Sequence, residues 1–254
     1  AIDRRLLRST NTIVTNTTAV SRFYALHGIP SECFTVIPNA VLPNTQTAVS
    51  RQSLFERLGI EPRGRVVGAV GRLWKQKGYR DLIWAGELLR VAYGDVYLLI
   101  FGDGPDRATL RDFRDRTGSY DAVRFVGHRR DALQLMSAFD VLWNGSLYEG
   151  QSNTILEAMT LGIPTVATDI PGTQDLIEHE KTGYLYSPGD LGALIRATCA
   201  LLHDHSLRAQ IGEQARLRAT ERFSLEKMVQ SHEQLYLRLI ADPASTSSLS
   251  KAIS

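Results

Sequence analysis

The sequence predicts an α/β fold: a Rossmann-like, doubly wound parallel sheet with helices on both faces. Three observations predict it. From residue 65 onward, short apolar runs of strand length alternate six times with segments of helical periodicity. The strand runs, residues 96–101 above all, are apolar almost without interruption, as strands buried on both faces are. Every cluster of glycine and charged residues in this region follows a strand and precedes a helix, so right-handed crossovers bring them to one edge of the sheet.

The elements follow in order. Residues 12–16 read as a short β-branched strand. Thr17 or Thr18 caps a helix over residues 19–27, which Gly28 and Pro30 end. Residues 34–41 are a second strand, stopped by Pro38. This front piece is too small for a core of its own. Residues 43–50 are a polar linker and 50–58 a short helix. The regular body then runs strand 66–70, helix 79–91, strand 96–101, helix 106–116, strand 123–126 and helix 131–139. It continues with strand 140–143, a helix from 153, strand 164–168, helix 173–177, strand 183–186 and helix 191–202. Two more helices, 206–222 and 225–240, need a surface to lie on, and the Ser-rich tail after Asp242 has the composition of disorder.

At 254 residues, 43% hydrophobic and 22% charged, the chain has ordinary globular composition. A net charge of +2 is too mild to imply nucleic acid as a partner, though phosphate ligands remain acceptable. Cys33 and Cys199 are far apart and have no metal-ligand spacing, so they are expected to be buried structural thiols without a disulfide. No segment reaches the length of a transmembrane span, and no signal-like stretch stands at the start. The chain opens on Ala1, and its first forty residues read as the middle of something, as a piece of a longer protein would.

In open α/β sheets, ligands bind outside the carboxyl ends of the strands. Five clusters should ring that crevice: residues 71–78, 102–106, 127–131, 145–153 and 168–175. The stretch 148–161 organises them. It passes from a loop holding Glu149, Gly150, Gln151 and Ser152 into a helix with Ile155, Leu156 and Met159 on one face, so Glu149 and Glu157 flank a helix N-terminus. Unpaired N–H groups and the helix dipole there attract anions and hydroxyl oxygens. Thr154 and Glu157 also have the spacing of a capping box, in which both serve only the helix itself. Arg72 and Lys77 can place a planar fork and a point charge around a diphosphate, or form a solvated basic turn. Gly102, Gly104 and Gly127 permit close backbone approach or simply make tight turns. His203 and His205 read as surface residues at a helix end, and His128 as a loop residue of the crevice. The sequence lacks the G-x-G-x-x-G of dinucleotide binders, a nucleophile elbow and a Walker A loop, which removes support for nicotinamide, simple hydrolase and P-loop readings.

Taken in order, G-R-x4-K-G at 71–78, G-D-G-P at 102–105, V-x-F-x-G at 123–127, E-x7-E at 149–157 and A-M-x-x-G-x-P-x-V-A-T at 158–168 resemble the donor half of family 4 glycosyltransferases. These are retaining enzymes of the GT-B fold, also called glycosyl transferases group 1. The resemblance spans residues 12 to about 240. It implies that residues 1–43 are a remnant of the N-terminal domain and hinge, 44–222 the nucleotide-sugar-binding domain, 223–241 the crossover helix and 242–254 a disordered tail.

It also implies roles. Arg72 and Lys77, with Glu149 beside them, would carry catalysis, the two cations holding the diphosphate. Glu149 and the backbone of Gly150, Gln151, Ser152 and Asn153 would contact the donor sugar, and Glu157 the ribose hydroxyls. Phe125, Val126, Gly127 and His128 would meet the base, with Gly71, Gly102 and Gly104 lining the site. The implied substrate is a nucleotide-diphospho-sugar, UDP-linked rather than GDP-linked, with no cofactor and no metal. The acceptor, a sugar or lipid-linked glycan, would bind through an absent N-terminal domain, in a cytoplasmic protein with peripheral contact at the inner face of the membrane. The chain departs from the family pattern at Ala40, Gln151, Pro171, Gly172 and Asp175. A non-catalytic nucleotide-sugar-binding module and a GT-B nucleotide-sugar epimerase are the alternatives.

Overall fold

The computed structural model describes residues 10, 12–42, 47–62 and 64–241. Residues 43–46 of the expected linker and the expected tail lie outside the described residues.

Six strands form one parallel sheet: β3 (Arg65–Val70), β4 (Val96–Phe101), β5 (Val123–Gly127), β6 (Val141–Asn144), β7 (Thr165–Thr168) and β8 (Tyr184–Tyr186), in the order β5-β4-β3-β6-β7-β8. The chain builds outward from β3 to β5, then returns to lay β6 against the other side of β3. That reversal opens a crevice between the loops that leave β3 and β6. Every residue of β4 is buried, and its side chains alternate between two cores as a two-residue period requires. Leu98 and Ile100 pack with Leu82, Ile83 and Leu89 of α3 (Tyr79–Tyr93) and Leu194 and Leu201 of α8 (Leu191–His203). Tyr97, Leu99 and Phe101 face Leu54 and Phe55 of α2 (Arg51–Leu58), Leu135 and Met136 of α5 (Ala132–Met136) and Ala158 of α6 (Asn153–Thr160). On the first of these faces α4 (Arg107–Arg116) packs beside α3, with Leu110 in the same core, and α9 (His205–Arg222) packs beside α6 and α8.

Local chemistry sets most element ends. The Ser50, Asp190 and Asp204 side chains accept the Ser53, Ala193 and Leu207 N–H groups at the starts of α2, α8 and α9. Three expected boundaries move. The second strand is β2 (Phe34–Val36), not 34–41: the proline at 38 has no N–H to extend the ladder. The helix expected at 131–139 ends at Met136, where Ser137, Ala138 and Phe139 bond three residues back in a tighter turn. The helix expected at 173–177 is α7 (Pro171–Gln174), which starts earlier because Pro171 suits a first helical position.

The front piece pairs β1 (Ile13–Thr15) with β2 in a separate parallel ladder, joined by α1 (Thr18–Leu26), whose N-cap is Thr17. No residue of α1 is fully buried. The last helix, α10 (Leu225–Ala241), is pinned at its start by the bond from Val41 N–H to the Phe223 carbonyl. Leu235 is its one buried residue, and Val229, Tyr236, Leu237 and Ile240 stand exposed. Cys33 and Cys199 are free and half-buried rather than buried as expected. Among the described residues, no helix is long and apolar enough to cross a membrane.

Candidate functional site

Loops leaving β3 and β6 face each other across the crevice, and hydrogen bonds join them. Leu147 N–H donates to the Gln76 carbonyl (2.8 Å), and Gln76 Nε2 to the Tyr148 carbonyl (2.7 Å). This brings Lys77, at the end of a 3-10 turn, onto Glu149 in an ion pair. The Glu149 side chain is 9% exposed and that of Lys77 25%. Burial lowers the Lys77 pKa, and the Glu149 carboxylate faces it in the ion pair. The second expected cation, Arg72, is exposed, and its guanidinium lies 4.6 Å from the centre of the Trp74 ring. The two cations of the loop therefore differ, Lys77 being held inside the crevice and Arg72 standing at its rim on an aromatic face.

Asn144, 7% exposed at the end of β6, organises the next loop, and the sequence reading missed it. Its Nδ2 donates to Glu149 Oε2 (3.3 Å) and Ser152 Oγ (3.2 Å), and its Oδ1 accepts Ser146 N–H (3.1 Å). Only an amide both donates and accepts in this way. The signal was a polar residue closing an otherwise apolar strand. Because Ser152 Oγ turns to Asn144, α6 has no side-chain cap at its N-terminus, and its first N–H groups are open to an anion or hydroxyl.

The capping box is not formed. Asn153 is the first helical residue and Ser152 the N-cap, so Thr154 lies inside the helix and Glu157 a full turn in, beyond reach of the cap N–H. The half-buried Glu157 carboxylate has no hydrogen-bond or ion-pair partner among the described residues, and burial raises its pKa.

Gln151 does something the sequence did not suggest. Its buried side chain turns away to the front piece, where Oε1 accepts Asn39 N–H (2.6 Å); beside it Asn39 Nδ2 donates to Asn153 Oδ1 (3.0 Å). Gly172, one of the departures, is required by close approach: a Cβ there would overlap the Glu149 and Gly150 carbonyls. Asp175 also serves the front piece. Its carboxylate accepts from the Thr17 hydroxyl, Thr18 N–H (2.9 Å) and Thr18 Oγ1 (2.8 Å), clamping the start of α1 to the sheet domain. Asp175→Ala is expected to speed amide exchange over residues 18–26 about tenfold, as loss of a helix cap worth roughly 1–2 kcal/mol would, with the global melting temperature unchanged. Unaltered exchange there would show that the clamp is idle.

The glycine loops form the remaining rim. Gly71 N–H donates to the Phe101 carbonyl (3.0 Å), and Gly102 N–H to the Gly127 carbonyl (2.8 Å). Gly102 has φ +126°, and a Cβ on it would overlap the Gly71 carbonyl. Gly102 and Gly104 thus serve the packing of loop on loop. Phe125 and Val126 are half-buried on β5, Gly127 ends that strand, and His128 is exposed beyond it. His203 and His205 are exposed, away from these loops, as expected.

The comparisons agree with this geometry. A family model described as Glycosyl transferases group 1 matches residues 64–204. The chain is 30% identical over 90% of its length to the lipopolysaccharide core biosynthesis glycosyltransferase LpsE of Rhizobium meliloti, of which it covers 64%. It is 28% identical over 85% of its length to N-acetyl-alpha-D-glucosaminyl L-malate synthase of Bacillus anthracis, of which it covers 59%. The chain thus spans about three fifths of the length of these curated relatives. Among solved structures, Anabaena Alr3699/HepE in complex with UDP-glucose superposes with a TM-score of 0.81 at 29% identity, over 89% of this chain and 64% of that one. A crevice at the reversal of a parallel sheet, the family match across the sheet domain and these relatives lead to one conclusion: the chain belongs to the group 1 glycosyl transferases and has the α/β architecture of their GT-B fold.

Proposed function

We propose that the crevice between β3 and β6 binds a nucleotide-diphospho-sugar, UDP-linked in preference to GDP-linked, for transfer of its hexosyl group to an acceptor with retention at the anomeric carbon. The observation that carries this reading is Glu157, a half-buried carboxylate left without a partner beside an uncapped helix N-terminus and the Lys77–Glu149 pair. Burying such a group is unfavourable unless donors meet it, and the vicinal hydroxyls of a ribose are suitable donors. The UDP-glucose complex of HepE supports the choice of base.

Each loop then has a part. Lys77 and Arg72 neutralise the diphosphate, the open N–H groups of Gly150 to Asn153 hold the sugar, and main chain from Phe125 to His128 meets the base. Transfer breaks the bond from the anomeric carbon to the diphosphate oxygen, which leaves with the electron pair, and forms a bond to the acceptor oxygen. Fixed cations stabilise the charge that builds on the leaving group, a task that needs no metal here. Glu149 is held by Lys77 and Asn144, which makes it a poor base. The acceptor's proton therefore passes to the departing phosphate, and the acceptor oxygen bonds on the same face of the sugar that the phosphate leaves.

Titration calorimetry of this chain with UDP, GDP and ADP in chelator tests the donor reading. The expected result is saturable, metal-independent binding of UDP at micromolar to sub-millimolar strength and weaker binding of the other two. Tighter binding of GDP or ADP would overturn the choice of base, and binding of none of them the donor site itself.

A further inference from the structure

A cavity of about 400 Å³ lies where the 71–78 loop meets the first turns of α3 and α4, and none of the residues given a donor role lines it. Its volume is that of a small-molecule site. Trp74, 48% exposed, supplies an aromatic wall. Around it stand Lys75, Arg80, Asp81, Asp106 and Thr109. None of these five side chains has a hydrogen-bond or ion-pair partner among the described residues, so two cations and two carboxylates share one cavity without pairing. Arg80 is steadied instead by the Phe113 ring, whose centre lies 4.6 Å from the guanidinium carbon. That contact leaves its N–H edges free. Neither helix start is capped by a side chain, although Asp106 holds the N-cap position of α4, so backbone N–H groups are open there as well.

A bare anion would lose to Asp81 and Asp106 what it gained from Lys75 and Arg80. A neutral polyol suits the set better, because each hydroxyl donates to a carboxylate and accepts from an ammonium, a guanidinium or a backbone N–H. A pyranose ring also has an apolar face of C–H bonds, which packs on the negative face of an aromatic ring such as Trp74. We propose that this cavity is a saccharide-binding site separate from the donor crevice. It holds one neutral hexose unit of a glycan against Trp74, with Asp81, Asp106, Lys75 and Arg80 on its hydroxyls. The two sites are neighbours, since the Arg72 guanidinium lies against the Trp74 ring. The proposal goes beyond the donor reading and does not depend on it.

The test titrates the methyl α-glycosides of glucose, galactose and mannose, and separately inorganic phosphate, into the intact chain with and without saturating UDP. Nuclear magnetic resonance follows the Trp74 indole N–H and saturation transfer from protein to glycoside, with the buried Trp143 as internal control. The expected result is that at least one glycoside shifts Trp74 saturably in the millimolar range, equally with and without UDP, and leaves Trp143 unmoved. Trp74→Ala should weaken that glycoside about tenfold, as loss of an aromatic contact does. Asp81→Ala should weaken it about fivefold through the lost acceptor, with UDP affinity unchanged. Both positions are at least partly exposed, so neither change opens the core. The proposal is overturned if no glycoside moves Trp74, or if binding is indifferent to both variants. Glycoside binding that UDP abolishes would place the sugar in the donor crevice, and phosphate shifting Trp74 at lower concentration than every glycoside would make the cavity an anion site; either result also overturns it. Failure of UDP to bind would sink the donor reading alone, because the saccharide site is read at Trp74.

Discussion

Removing the Glu157 carboxylate is expected to weaken UDP binding and stabilise the free protein at the same time. An ionised carboxylate accepting ribose hydroxyls is worth roughly 1.5–3 kcal/mol, so Glu157→Ala should lose about ten- to hundredfold in affinity. Stability moves the other way. Burial raises the Glu157 pKa above its unfolded value, so the folded state holds this proton more tightly. The contribution of Glu157 to stability is then fully present below the unfolded pKa and is lost as pH rises through the folded one. Glu157→Gln, which never ionises, escapes that loss. Its melting temperature should exceed wild type at pH 7, and the gap should narrow toward pH 4. Differential scanning calorimetry across that range measures the gap. A Glu157→Ala protein that binds UDP normally and melts earlier would show that the carboxylate serves the helix after all.

The second large effect is expected at Lys77. Lys77→Met leaves Glu149, 9% exposed, without its cation. Breaking a buried pair from one side costs about 3–5 kcal/mol, and the quarter exposure of Lys77 discounts this to roughly 2–3. The melting temperature should fall by roughly 4–12 °C for a domain of this size. UDP affinity should fall at least tenfold, because a charge that faces the diphosphate is gone. Adding Glu149→Gln should recover most of the stability, since no unpaired carboxylate remains, and none of the UDP affinity. A double variant that regained UDP binding would place the diphosphate elsewhere. Lys77 takes precedence over Arg72 here because Arg72 is solvated at the rim, where its charge is screened.

Much of this molecule could be read before any coordinates. Continuous apolar runs such as 96–101, short and flanked by glycine-bearing loops, favour a doubly covered strand, and all six strands expected from residue 65 onward appear within a residue or two. The loops that gather at the crevice were the expected ones, because right-handed crossovers put every strand-to-helix loop on one edge. Where boundaries moved, as at Met136 and Pro171, short-range chemistry decided: a run of three-back bonds after Met136 and a proline at the first helical position at 171.

The side-chain assignments of the site were legible only in part. A capping box and a ligand-binding glutamate share one spelling, and what separates them is where α6 begins. That depends on Ser152 Oγ turning to Asn144, eight residues back. The Lys77–Glu149 pair joins residues 72 positions apart, and the Asp175 clamp joins residues more than 150 apart. Propensity and periodicity describe only neighbours along the chain, and such pairings exist once the sheet order has set the loops side by side. Strands, helices and the loops that ring the crevice thus follow from local patterning of the amino acids. Which carboxylate is paired, which is left open and which amide bonds to the front piece follow from packing in three dimensions, because burial and distance determine how a charge is satisfied.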